Sequence, residues 1–502
     1  MRRSPTCPVI LCAGLVLAGC GALPMDPGRP EPRPLGRDLT VPPALGRKAP
    51  VANASRPGSG TPAAPPSGPM GEPVGLLTLQ RALAQTLNGS PDLAQFSYDI
   101  RSAEARTLQA GYRPNPEITA QAEDFGGSRD HAAFRGYQGT LTLSQVVELG
   151  GKRARRLRLA RLDAGLAAWT YEVQRLDVFT VTARAFVDVL AAQRRVALAE
   201  DTLRLERQFY GAVSERARSG DVSPLEERRA QVSLSNGEIA LEQARRELGA
   251  ARVRLAATWG SKEPRFDRAQ GDLGSGVVRP PPLPALLALG AQNPDVARWD
   301  TEIAQREANL AVEQSRNVPD VTVNVGMRNY GPGRGSVDST TAGGAALSTG
   351  GAASGGGFGL VGGIGVPLPV FGLNRGNVSA AQAQLEKGRI QKQVAEVQVV
   401  SSIRQAYERL SAAYAAAGAL QRSVLPAAQT AYDGIGTGYR QGKFSLLEVL
   451  DARRALFDAR VRLVDAQAAY HAALADAERL IGQSLSDVTH SASGGARPGD
   501  TP

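Results

Sequence analysis

Cysteine is nearly missing from this 502-residue chain: there are three, and two of them, Cys7 and Cys12, fall within the first nineteen residues. That segment reads MRRSPTCPVILCAGLVLAG. Arg2 and Arg3 precede an apolar run of about a dozen residues, well short of the ~20 that a membrane helix needs. Residues 1–19 therefore read as a secretory signal, and Leu17-Ala18-Gly19-Cys20 matches the cleavage box of bacterial lipoproteins, whose cysteine is acylated and becomes the first mature residue. An ordinary signal peptide beside a chance cysteine is the alternative. On the lipoprotein reading Cys20 is a lipid anchor and the sole cysteine left, which excludes a disulfide framework or a thiolate metal centre.

Histidine is equally sparse. His131, His471 and His490 are scattered, each reads as a solvated surface residue, and no His, Asp or Glu spacing matches a metal-ligand or nucleophile motif. No catalytic residue, resident metal or cofactor is expected, and the chain is not expected to be an enzyme.

Charge of one sign is not lacking. The formal net charge of +10 becomes +8 once Arg2 and Arg3 leave with the signal, a balance that ordinarily raises nucleic acid as a partner. Export removes that option. The densest basic run, Lys152-Arg153-Ala154-Arg155-Arg156-Leu157-Arg158, fits either contact with phospholipid headgroups or a solvated helix start. Residues 20–75 are crowded with Pro, Gly, Ala and Ser and show no apolar period, so they read as a flexible tether, and residues 483–502 as a disordered tail.

Between these ends the sequence repeats. SPDLAQFSYDIRSAEARTLQAGYRPNPEITAQAE, from Ser90, aligns without a gap on NPDVARWDTEIAQREANLAVEQSRNVPDVTVNVG, from Asn293, an offset of 203 residues. Further on, Leu149-Gly150 matches Phe371-Gly372, and RARSGDVSPLEERRA at 216–230 matches GYRQGKFSLLEVLDA at 438–452, an offset of 222 residues. The difference lies in residues 329–357, a Gly, Ser, Thr and Ala stretch that reads as an inserted external loop. Two repeats result, 76–274 and 275–482.

Each repeat has one plan. Ser90 or Asn293 caps a helix with proline at its first position, which runs to Arg113 or Arg316. Alternation with period two follows: Ile118, Ala120 and Ala122; Leu141 and Leu143; Val321, Val323, Val325 and Met327; Phe358, Leu360, Ile364 and Val366. Four strands of about ten residues suit a bilayer, although alone they also fit a small soluble sheet with one wet face. Four strands cannot close, and hydrocarbon does not tolerate an open edge, so a membrane sheet requires several chains, and three would supply twelve strands. Helical pattern then resumes from about Lys152 to Ser219 and Asn377 to Gln441, with Pro426 expected to kink the second run. Gly220 and Gly442 end these helices, and Ser223-Pro224 or Ser445 caps the helix that returns, which makes both breaks hairpin tips.

Over residues 76–482 this pattern resembles the TolC-like outer membrane efflux proteins, through the duplication and the tip motif YRQGKFSLLEVLDA. RPNPEITAQAEDFGG and LSQVVELGGKR are similar to its cobalt-zinc-cadmium efflux branch. The resemblance implies a mainly helical, duplicated protomer. Its four strands join a trimeric, twelve-stranded outer-membrane barrel that continues as a long periplasmic helical barrel. It also implies a passive duct, coupled through a periplasmic adaptor (membrane fusion) protein to an inner-membrane pump of the resistance-nodulation-division type. Divalent heavy-metal cations are the implied substrate; drugs or other organic compounds are the alternative, and a lipid-anchored coiled-coil stalk without a pore is the reading from another class. By position, the tips Gly220-Asp221-Val222 and Gly442-Lys443-Phe444 meet the adaptor, and Tyr439, Glu226, Glu448 and Asp451 line or latch the periplasmic entrance. Relatives often carry a basic latch residue where this chain has Phe444. The acids either select cations at a narrow mouth or form surface pairs with Arg228, Arg229, Arg440, Lys443 and Arg453.

Replacing Cys20 by Ser is expected to abolish labelling by a fatty-acid probe; equal label in the variant and the parent would remove the anchor.

Overall fold

The computed structural model describes residues 71–124, 137–290, 292–331, 357–369 and 372–485. Cys20, the tether up to residue 70, His131, His490 and nearly all of the inserted loop lie outside the described residues. Two features split the chain into layers: a four-stranded antiparallel sheet at one end, and long helices running from it.

The sheet comprises β2 (Glu117–Glu123), β3 (Gln138–Val147), β5 (Val321–Tyr330) and β6 (Phe358–Gly365), in the order β2-β3-β5-β6. The expected insertion therefore begins inside a strand, since Asn329 and Tyr330 end β5. Register aligns the apolar positions across the strands. Ile118 faces Leu143, which faces Val325; Ala120 faces Leu141, which faces Met327 and then Leu360. These rows are exposed, Leu360 at 75% and Ile118 at 71%, so one face is an uncovered apolar surface. The opposite face is polar, and there Arg328 Nε donates to Thr140 Oγ1 at 3.0 Å. Both edge strands, β2 and β6, have one side unpaired among the described residues.

Helices α2 (Pro91–Gly111) and α6 (Pro294–Ser315) lead into the sheet. Their caps differ where the repeat predicts identity. Asn293 is fully buried, accepts from the Asp295 amide at 2.7 Å and donates to the Leu480 carbonyl at 2.7 Å. Ser90 occupies the same position, but its side chain makes no capping bond and its buried hydroxyl has no partner among the described residues. Ahead of each lies a short helix the periodicity did not announce, α1 (Leu79–Gly89) and α5 (Leu283–Gly290).

The first long helix, α3 (Lys152–Arg218), is continuous for 67 residues, about 100 Å. Its counterpart is broken. α7 (Arg375–Ala419) passes through a π-turn at Leu420–Val424 into α8 (Leu425–Arg440). There the Leu425 amide bonds to the Leu420 carbonyl, five residues back. Pro426 has no N–H, and its ring would collide with the carbonyl four residues earlier; the wider turn just before it absorbs the mismatch. The returning helices are α4 (Pro224–Ala257) and α9 (Leu446–Ile481).

Contacts order these helices into a single wall. Next to the sheet the sequence of neighbours is α2, α3, α6, α7; further away it is α4, α3, α9, then α7 and α8. A small parallel ribbon braces the middle, where β1 (Gly75–Leu77) pairs with β4 (Phe266–Ala269). The expected tether thus ends in packed structure: Gln85 Nε2 donates to the Gly71 carbonyl, and Leu77, Phe186, Leu255, Trp259 and Phe266 share one core. A second core joins Leu286, Ile403, Leu410, Tyr470 and Ile481, and Leu485 adds to it beyond the expected start of the tail. His471, expected to be solvated, is half-buried, with its Nε2 2.9 Å from the Leu273 carbonyl and its ring edge-on to Tyr470.

Ser90→Ala and Asn293→Ala separate the two caps. Asn293→Ala is expected to lower stability by about 2 kcal/mol, because it orphans a buried carbonyl as well as the helix amide. Ser90→Ala should stay within about 0.5 kcal/mol, and thermal unfolding in detergent that shows equal losses would contradict the asymmetry.

Candidate functional site at the hairpin tips

At the far end of the wall, α3 closes with Ser219, then Gly220 at φ +83° and the Asp221 amide bonded back to the Arg216 carbonyl at 2.9 Å. The second tip repeats this: Gly442 has φ +72°, and the Lys443 amide bonds to the Gly438 carbonyl at 2.8 Å. A left-handed residue closing a helix this way favours glycine, because a Cβ would crowd the carbonyl. Starting the return, Ser223 Oγ accepts from the Leu225 amide at 3.2 Å, with Pro224 in the first turn. Ser445 goes further and forms a reciprocal capping box with Glu448.

The two tips, read separately from sequence, meet in space. Val213 and Ala230 of the first hairpin share a core with Leu446 and Leu450 of the second, and Val222, Phe209 and Tyr439 pack around it. Tyr439 is the hinge pin of this contact: its ring lies 6.4 Å from that of Phe209, and the Arg216 guanidinium sits 5.6 Å above it. Arg216 Nη1 also donates to Tyr439 Oη at 3.4 Å. Burial raises the Tyr439 phenol above its ordinary range, and the Glu226 carboxylate adds to this while Arg216 opposes it. Phe444 covers Gly438, where any Cβ would strike its ring. Asp221 accepts from Ser219 Oγ at 3.0 Å and Lys443 is exposed.

The expected entrance acids fare differently from one another. Among the described residues, none of Glu226, Glu448 or Asp451 forms an ion pair, so the surface-pair reading does not hold for them. Glu448 accepts from the Ser445 amide at 2.6 Å and its hydroxyl at 2.9 Å, which holds its carboxyl below the ordinary value. That cap is complete above the ordinary carboxylate range and is lost as the pH falls through the lowered value. One Glu226 oxygen is buried without a partner, and Asp451 is exposed. No group of three His, Cys, Asp or Glu among the described residues could hold a metal ion.

Arg453 departs furthest from expectation. Grouped with the surface bases by sequence, it is buried and pairs with Glu206 at 2.8 Å, at 4% and 7% side-chain exposure. It also donates to Ser233 Oγ at 2.8 Å and lies over the Phe209 ring. Burial lowers its pKa, against the pull of Glu206. Removing one partner of such a pair leaves an uncompensated buried charge. Arg453→Ala should therefore cost about 3–5 kcal/mol, and Arg453→Met with Glu206→Leu should recover most of it, both read by thermal unfolding. A single variant as stable as the parent would dismiss the pair as incidental.

The basic run at the sheet end is partly consumed internally. Lys152 pairs with Asp320 at 2.8 Å, Arg156 with Glu148 at 2.6 Å, and Arg155 donates to the Ala311 carbonyl at 3.1 Å, whereas Arg153 and Arg158 are exposed. No described helix is long and apolar enough to cross a membrane.

Comparison with known proteins agrees with this architecture. The chain is 32% identical over 413 residues to the cobalt-zinc-cadmium resistance protein CzcC of Cupriavidus metallidurans, covering 82% of this chain and 91% of that one. It is 29% identical to the nickel and cobalt resistance protein CnrC of the same species, over 64% of this chain and 72% of the relative. Among solved structures, the channel-forming protein CusC superposes with a TM-score of 0.66 at 19% identity, over 81% of this chain and 92% of that one. The CmeC outer membrane channel of Campylobacter jejuni does so at 0.63 and 16%, over 83% and 88%. The sequence profile described as "Outer membrane efflux protein" matches twice, at residues 82–261 and 287–483, once for each repeat. By that double match the chain belongs to the outer membrane efflux protein family.

Proposed function

We propose that the chain is the outer-membrane exit duct of a tripartite efflux system, that it works as a homotrimer, and that it passes divalent heavy-metal cations. The observation that supports this most is that both layers leave matching margins open. β2, α2 and α4 lie on one side of the wall, and β6, α7 and α8 on the other. Joining β6 of one copy to β2 of the next satisfies edges that hydrocarbon does not tolerate, and three copies close a barrel of twelve strands. The uncovered apolar face then meets outer-membrane lipid, with the Cys20 acyl chains, Arg153 and Arg158 as further contacts.

Cobalt, zinc, cadmium and nickel appear in the names of relatives that align over most of their length, which supports a cation substrate here. The duct does no chemistry of its own. Gly220-Asp221-Val222 and Gly442-Lys443-Phe444 dock a periplasmic adaptor, which links the duct to an inner-membrane pump of the resistance-nodulation-division type. Six tips per trimer suit an adaptor ring, and their shared core lets one hairpin report the position of the other.

Gly442→Val puts a β-branched residue at φ +72°, a strain on the order of 1 kcal/mol or more, too little to unfold a trimer. The variant should assemble normally yet lose cobalt, zinc or cadmium resistance and adaptor crosslinking. Unchanged resistance and crosslinking at normal trimer levels would reduce the tip to a turn. A monomer in mild detergent would overturn the shared barrel, and loss of drug resistance alone in a deletion strain would overturn the cation assignment.

A further inference from the structure

Midway along the wall, α3, the loop after β4 and α9 enclose an open cavity of about 600 Å3. Three guanidiniums line it: Arg194 from α3, Arg268 from β4 and Arg460 from α9. Neighbouring arginines on the same helices have carboxylate partners; Arg184 pairs with Asp476, Arg195 with Asp465 and Arg204 with Asp201. The cavity arginines do not. Arg460 donates to the neutral Gln429 Oε1 at 2.9 Å, and among the described residues the side chains of Arg194 and Arg268 form neither hydrogen bond nor ion pair.

Two carboxylates also reach this space, and both are already engaged. Asp201 holds Arg204, and Asp272 Oδ1 accepts the Gly274 amide at 3.1 Å. The concavity therefore has an excess of planar, multivalent donors and a net positive charge, contributed by three separate elements. Guanidinium forks match oxyanions in geometry, and a ligand held between them is favoured over three cations left facing one another.

We propose that this cavity binds an oxyanion, a carboxylate or phosphate group, with Arg194 and Arg268 as the principal donors and Arg460 as the third wall. The site is distinct from the tips: Arg194 precedes Gly220 by 26 residues of α3, about 40 Å along the helix. Its occupant ties α3 and the connection between the two repeats to α9, directly beside Leu425 at the end of the π-turn.

The test uses the purified full-length protein in detergent, with sodium phosphate, sodium glutarate and sodium chloride compared at equal ionic strength. A ligand that binds only the folded state raises the unfolding temperature in a concentration-dependent way. Phosphate or glutarate should do so beyond chloride, and calorimetric titration of Arg194→Gln/Arg268→Gln should show affinity at least tenfold weaker. Both side chains are exposed, so the variant is expected to keep the parental unfolding temperature in chloride; Arg268→Gln alone serves as a second, milder variant. A response to phosphate alone assigns a phosphate-bearing ligand, and a response to glutarate assigns a carboxylate-bearing one. No rise over chloride, or an equal rise in parent and both variants, overturns the proposal.

Discussion

Register along the seam between α3 and α9 fixes where the long helices of the wall sit, since this seam, together with β3 against β5 and α3 against α6, joins the first repeat to the second. Its polar rungs are Arg184 with Asp476, Arg195 with Asp465, and Glu206 with Arg453, so on α3 they recur every eleven residues, three helical turns. The first two are exposed or half-exposed and contribute little to stability. Their value lies in register, since the last rung has reversed polarity. Sliding α9 by eleven residues in one direction sets Arg195 against Arg454; in the other it sets Glu206 against Asp465. Either slip replaces an opposite pair by a like one, so the charge order disfavours an eleven-residue slip of these two long, Ala-rich helices. Arg479 reinforces this by reaching both Asp177 of α3 and Asp295 of α6.

With that seam fixed, the two repeats are free to diverge elsewhere, and they do so according to position. α3 lies inside the wall, has neighbours on both sides and stays uninterrupted for its whole length. The α7–α8 run lies on the margin, tolerates Pro426 through a π-turn, and carries Gly434, Gly436 and Gly438 in a stretch whose only buried residue is Gly438. Asn293 and Ser90 diverge in the same sense. Asn293 reaches across to the end of α9 and is locked by it, while the shorter Ser90 side chain has nothing within reach.

Sequence made the duplication, the four strands and the two tips legible because each is written locally: period two, a glycine at the end of a helix, a serine before the next. The capping box at Ser445 and Glu448 spans four residues, and the positive φ at Gly220 and Gly442 is a property of single residues. What stayed illegible is non-local. Arg453 looks like any basic residue on a polar helix until Glu206, on the other repeat, is seen beside it. The β1–β4 ribbon is seven residues in all and joins the two ends of the first repeat, too short for periodicity to register. His471 has no local signal at all for its place under the Leu273 carbonyl.

The same distinction between local and non-local partners separates the three carboxylates Glu226, Glu448 and Asp451 near the tips. Three carboxylates near the tips seemed interchangeable by spacing, yet each meets a different environment. Glu448 gives one oxygen, Oε2, to the amide and hydroxyl of Ser445 at the start of α9, and Glu226 turns an oxygen into the protein beside Tyr439. Of the three, Asp451 is the one that is exposed and whose carboxylate has no partner among the described residues, with exposed Arg454 and Lys443 three and eight residues away in the chain. Attraction between a divalent cation and one screened carboxylate is modest in water, because at ~4 Å and high dielectric a unit pair gains only about 1 kcal/mol and a doubly charged ion about twice that. An exposed carboxylate of this kind is a single hard oxygen donor; with no imidazole or thiolate beside it among the described residues, it favours cations over anions without distinguishing one divalent metal from another.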